Sequence, residues 1–77
     1  MKDKVLMIIS NIMNVPIKLL NEESSPDNVE SWDSLKHLNL ILAIEQDFGI
    51  TLSDEEIIEM LNVQLILEIL KNKIGSA

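Results

Sequence analysis

The sequence predicts an all-α fold: a four-helix bundle with a long loop between helices 1 and 2 and a short helix 3. Three observations carry this. Of the 77 residues, 47% are apolar, nearly all Leu, Ile, Val and Met, and they recur at helical spacing. Two Gly and two Pro leave little room for hairpins or a Gly-rich phosphate loop. Residues suited to helix caps stand where the apolar periods begin and end. The length fits one domain spanning residues 1–77, near the lower limit at which a hydrophobic core holds a fold by itself.

Helix 1 is expected from about Lys4 to Asn14, with Val5, Ile8, Ile9, Ile12 and Met13 on one face and Pro16 just beyond its end. A connection from Val15 to Asp33 follows, long for so small a domain. Its apolar residues Val15, Ile17, Leu19, Leu20 and Val29 are expected to pin it to the bundle. Helix 2 is expected from Ser34 to Phe48, stopped by Gly49. Helix 3 opens on Ser53-Asp54-Glu55-Glu56, a capping-box pattern, and ends near Leu61. Asn62 offers a cap for helix 4, Val63 to about Ile74, with Lys71 and Lys73 where the dipole favours cations.

Helix 2 has too wide an apolar face. Leu40, Ile41, Ile44 and Phe48 share one stripe, and Leu35, Leu38 and Leu42 form a second beside it. At about 100° per residue the two stripes together cover roughly 220°, whereas a surface helix needs little more than a ~100° stripe. Either all seven are core, or one stripe is kept for a partner. Glu45 projects along the Leu35/Leu38/Leu42 stripe, which favours a solvent-facing docking surface.

Between Glu22 and Glu68, twelve acidic residues face one lysine, leaving −11 of charge in a chain whose net charge is −7. Such a surface repels phosphate backbones and anionic headgroups, which argues against nucleic acid or a membrane as partner and suits basic protein surfaces. With no cysteine, disulfides and thiolate metal sites are excluded. His37 is the lone histidine and is read as a partly buried or cap-adjacent residue, not a ligand. The acidic run after Ser53 lacks the alternating ligands and central Gly of a calcium loop, so no metal site is assigned. No apolar stretch approaches the roughly 20 residues that span a bilayer, and Met1-Lys2-Asp3-Lys4 opens no signal peptide. The expectation is a cytoplasmic monomer.

Trp32-Asp33-Ser34-Leu35, after a long acidic loop and opening a helix, resembles the phosphopantetheine attachment motif of acyl and peptidyl carrier proteins, which centres on Asp-Ser-Leu. The tripeptide alone is common. Its context is specific: the serine lies mid-chain, and the continuation from Leu35 to Ile50, with the short helix after Thr51-Leu52-Ser53, also follows the family pattern. The resemblance covers nearly the whole chain and implies an acyl-carrier-like bundle.

The resemblance implies that Ser34 carries a covalent 4'-phosphopantetheine arm whose terminal thiol holds acyl groups as thioesters. A phosphopantetheinyl transferase (holo-carrier synthase) would install it from coenzyme A with Mg²⁺, with Asp33 helping to position that enzyme. Acyl-loading and acyl-transferring enzymes of fatty-acid, polyketide or related biosynthesis would be the other partners. Leu35, Leu38 and Leu42 match docking positions, with Glu45 beside them, while Leu40, Ile44 and Phe48 match core positions. Ile57 and Leu61 would take part if an acyl chain were sheltered between helices 2 and 3.

The physical sense of the motif stands independently. A serine at a helix start has free backbone N–H groups around it, and a phosphodiester there meets the positive end of the helix dipole. Ser34 or Asp33 could also be simply an N-cap, and both readings can hold together. No base and orienting group accompany Ser34, so no catalytic residue is assigned and the chain is not read as an enzyme.

Three departures bear on the cargo. Ser31 stands where fatty-acid carriers usually have Gly, Lys36 and Asn39 follow the serine where they tend to be acidic, and Trp32 precedes the motif directly. These leave an aminoacyl or peptidyl carrier open, and an unmodified helical adaptor as the third reading.

Overall fold

The computed structural model describes residues 1–75. Helix α1 spans Lys2–Met13, a single 3-10 turn spans Ile17–Leu19, and α2 spans Ser34–Phe48. A short α3, Asp54–Glu59, and α4, Val63–Ile74, complete the chain. The described residues are all helical or irregular, without strands, as the aliphatic periodicity and scarce Gly and Pro predict.

Helix α1 begins two residues earlier than expected. Met1 serves as its N-cap with no side-chain bond, the Met1 carbonyl taking the Val5 N–H at 3.1 Å. No capping residue marks that start in the sequence. Asn14 does not extend the helix but ends it, at φ 58°, the left-handed conformation that Asn tolerates better than most side chains. Its N–H donates to the Ser10 carbonyl.

The bounds of α2 and α4 are those expected. Asp33 caps α2, its Oδ1 accepting the Lys36 N–H at 2.8 Å, and Gly49 closes it at φ 65°. Asn62 caps α4 through the Leu65 N–H, also at 2.8 Å. The capping box of α3 is formed in both directions, Glu56 N–H to Ser53 Oγ and Ser53 N–H to Glu56 Oε1. Helix α3 nevertheless stops two residues short of Leu61. Met60 leaves helical geometry at ψ 67° and turns its side chain into the core, which leaves Leu61 outside.

Helices α1 and α2 run antiparallel. The Lys4 ammonium at one end of α1 lies 5.2 Å from the Phe48 ring centroid at the far end of α2. At the other end, Lys36 Nζ donates to the Ile12 carbonyl at 3.3 Å. The core between them takes Val5, Ile9 and Met13 from α1, Leu40, Ile41 and Ile44 from α2, and Val63, Ile66 and Leu70 from α4. Trp32, Leu52 and Met60 join it from the connections.

The long connection is ordered by its own polar side chains. Ser24 Oγ accepts the Asn21 N–H, Asn21 Oδ1 the Glu23 N–H, and Asn28 Oδ1 the Ser25 N–H. These are the local bonds by which Asn and Ser fold turns. The Ser24 and Glu22 carbonyls then accept the N–H groups of Val63 and Gln64 at 3.0 and 2.9 Å. The loop thus satisfies donors that the start of α4 leaves free. Leu20 and Val29 are buried and Val15 half-buried, as expected. Ile17 and Leu19 are not pins: they are 42% and 63% exposed. One 3-10 turn aims only one side of itself at the bundle, and Leu20 at its end takes that place.

No helix among the described residues is long and apolar enough to cross a membrane.

Candidate functional site

Ser34 is the first residue of α2 and is exposed. Asp33, also exposed, precedes it in extended conformation, its carboxylate held by the Lys36 N–H and its carbonyl by the His37 N–H at 2.8 Å. The N–H groups of Ser34 and Leu35 lie outside the helical ladder, as in the first turn of any α-helix. The hydroxyl therefore stands at the positive end of a 15-residue helix, a setting that favours an attached anion.

Beside Ser34 a cleft of about 540 Å³ opens between the head of α2 and α3. Trp32, His37 and Leu38 line it from the α2 side, Ile57, Ile58, Met60 and Leu61 from α3 and the residues after it, and Pro26 from the long connection. Ile57 and Leu61, singled out in the sequence, both reach it.

The two stripes of α2 separate cleanly. Leu40, Ile41 and Ile44 are buried and Phe48 is half-buried, whereas Leu35, Leu38 and Leu42 are 68%, 54% and 63% exposed. The second stripe is thus free surface and not core. Ile58, 72% exposed on α3, adds to the apolar surface around the cleft mouth. Glu45 sits differently from its leucine neighbours. It is half-buried, and its Oε2 accepts the Leu52 N–H at 2.8 Å, holding the α2–α3 connection against α2.

Two of the departures have structural roles that the sequence did not reveal. Ser31 Oγ donates to the Met13 carbonyl at 2.7 Å. Lys36 reaches back to Ile12, so its charge lies at the carbonyl end of α1, where the dipole favours a cation. The charged side chain next to Ser34 in sequence is then Asp33.

The role of His37 is the least legible in the sequence. The side chain is half-buried, as expected, but bonded on both sides. Its Nδ1 accepts the Trp32 indole N–H at 3.0 Å, and its Nε2 lies 3.2 Å from the Ile57 carbonyl. The only sequence signal was an aromatic and a histidine at either edge of the motif.

No protein-family profile matches the chain. Whole proteins do. An acyl carrier protein of Buchnera aphidicola subsp. Schizaphis graminum is 41% identical over 71 residues, covering 91% of this chain and 89% of that protein. An acyl carrier protein of Thermosynechococcus vestitus is 33% identical over 75 residues, 96% of this chain and 91% of that one. A third, from Nitratidesulfovibrio vulgaris, is 32% identical over 72 residues, 94% and 95% of the two chains. These relatives are named as carriers, not enzymes, and they match almost end to end. With a helical bundle that presents a serine at the head of its second helix, this chain belongs to the acyl carrier protein family.

Proposed function

We propose that Ser34 is the attachment point of the phosphopantetheine group that this family implies, and that the chain carries acyl intermediates of fatty-acid, polyketide or related biosynthesis between enzymes. The observation that carries this reading is the placement of Ser34: an exposed hydroxyl at a helix N-terminus, at the mouth of an apolar cleft. The residues present fit such a group. The helix start suits a phosphodiester, and the cleft beside it suits an apolar cargo. When bound, the arm supplies a terminal thiol for thioester linkage.

The chain's own residues then do three things. Ser34 Oγ provides the oxygen on which a transferase acts. Asp33 fixes the first turn of α2 through Lys36 N–H and keeps its second carboxylate oxygen for the transferase or its Mg²⁺. Leu35, Leu38 and Leu42 offer partners an exposed apolar stripe, with Glu45 and the surrounding acidic surface steering basic partner faces toward it.

Incubation with a fluorescent coenzyme A conjugate, Mg²⁺ and a broad-specificity phosphopantetheinyl transferase tests the reading. Covalent fluorescence on the native chain and none on Ser34→Ala is the expected result. Equal labelling of both, or labelling of neither, contradicts it.

A further inference from the structure

Among the described residues, helix α3 is the only one of the four α-helices without a buried residue. It has six residues. Its tie to α4 is the Lys73–Glu56 bond at 2.8 Å, and Met60 plugs the core just beyond its end. Toward α2, the tie is His37, whose Nε2 meets the Ile57 carbonyl.

The direction of that tie follows from its other end. An indole N–H can donate and cannot accept. The 3.0 Å bond from Trp32 Nε1 to His37 Nδ1 therefore requires a lone pair on Nδ1. The proton of the neutral imidazole then sits on Nε2 and is donated to Ile57. Trp32 is itself fixed, at 2% exposure, with its ring 6.2 Å from the imidazole and tilted by 24°. A loop residue in the core thus orients a residue of α2, which holds the backbone of α3. Trp32, His37 and Ile57 all line the cleft beside Ser34.

We infer that His37 is a positioning residue, a clasp oriented by Trp32 that holds α3 toward α2 and so sets how readily the cleft beside Ser34 opens to an acyl chain. This use of the cleft rests on the reading of Ser34 as the attachment point. An apolar chain reaching into the cleft between Leu38 and Ile57 lies against α3, a helix with no buried residue that can move outward at little cost as the chain goes deeper. One hydrogen bond on such an element shifts its opening equilibrium about fivefold.

Amide hydrogen exchange on the unmodified chain tests the clasp. In His37→Ala and in the milder Trp32→Phe, the amides of Ile57, Met60 and Leu61 are expected to exchange about fivefold faster. Core amides of α1 and α4, such as Ile9 and Leu70, keep their rates. His37→Gln, which retains a donor within reach of Ile57, restores part of the protection. Unchanged α3 rates in His37→Ala overturn the clasp. A uniform rise across all helices overturns it too, because it makes His37 a support of global stability only.

The cleft is tested on chain loaded with an octanoyl thioester, by its rate of cleavage with hydroxylamine. His37→Ala is expected to slow cleavage at least twofold, since a looser α3 admits the chain more often. Equal rates contradict control of the cleft. If Ser34 accepts no arm at all, the attachment reading and the cargo role fail together, while the exchange rates still decide the clasp.

Discussion

Ser31 donates its hydroxyl hydrogen to the carbonyl of Met13 across 2.7 Å, fastening the residues just before the motif to the end of α1. That carbonyl belongs to the last turn of a helix, where no intrahelical donor is available to it. Ser31→Gly removes the donor from a partly buried pair and is expected to cost about 1 kcal/mol. Urea unfolding measures it as a lower midpoint with an unchanged m-value. A midpoint equal to that of the unaltered chain would show that water replaces the hydroxyl at no cost.

The two stripes of α2 predict opposite consequences for the same kind of change. Ile44→Ala opens a cavity at a fully buried position and is expected to cost about 2–5 kcal/mol. Leu42→Ala, at 63% exposure, is expected to stay within about 0.5 kcal/mol while weakening binding to partner enzymes. Denaturant midpoints check the first statement, and transferase KM on each variant checks the second. A Leu42→Ala chain as destabilised as Ile44→Ala would return that stripe to the core.

Glu56 gives the fold a dependence on acid. Its carboxyl is held below its ordinary value of 4.5 by the Lys73 hydrogen bond first, and then by the Ser53 backbone N–H. The depressed value means the unfolded chain binds this proton more readily than the folded one. The contribution is therefore complete above pH 4.5 and is lost as pH falls through the lower folded value. The stability difference between the native chain and Glu56→Gln is expected to shrink from pH 6 to about pH 3. A difference that stays constant over that range would contradict the assignment.

The segment from Glu22 to Glu68 holds twelve carboxylates against one lysine, and that lysine is drawn toward α1. Few ion pairs offset this: among the described residues, Lys2 reaches Glu22 at 3.6 Å and Lys73 reaches Glu56, the first between exposed side chains. Self-repulsion is then expected to lower stability at low salt, and Tm should rise between about 10 and 150 mM NaCl as the screening length falls from ~30 to ~8 Å. Identical melts at both concentrations would show that the charges are already far enough apart.

Much of this architecture could be read from local signals. Asp33, Gly49, Ser53 and Asn62 are cap residues whose action depends on the few residues beside them, and they mark both ends of α2 and the starts of α3 and α4. The start of α1 carries no such signal, because Met1 caps without its side chain. The early end of α3 carries none either, because it depends on Met60 finding the core. What stayed hidden in the site was non-local. Ser31 and Lys36 looked like departures from a family pattern, yet both bind carbonyls of α1, 18 and 24 residues away. Glu45 looked like part of a free stripe, but one of its oxygens serves Leu52. The Trp32–His37–Ile57 chain joins a loop and two helices, and no spacing rule announces such a contact.

Site-resolved mass spectrometry of the transferase-treated chain tests most directly whether Ser34 is where the arm is attached. A single added phosphopantetheine is predicted, with fragment ions placing it on Ser34 and leaving the six other serines unmodified. Modification at any of those other serines, or an unchanged mass under conditions that load a known carrier, would contradict it.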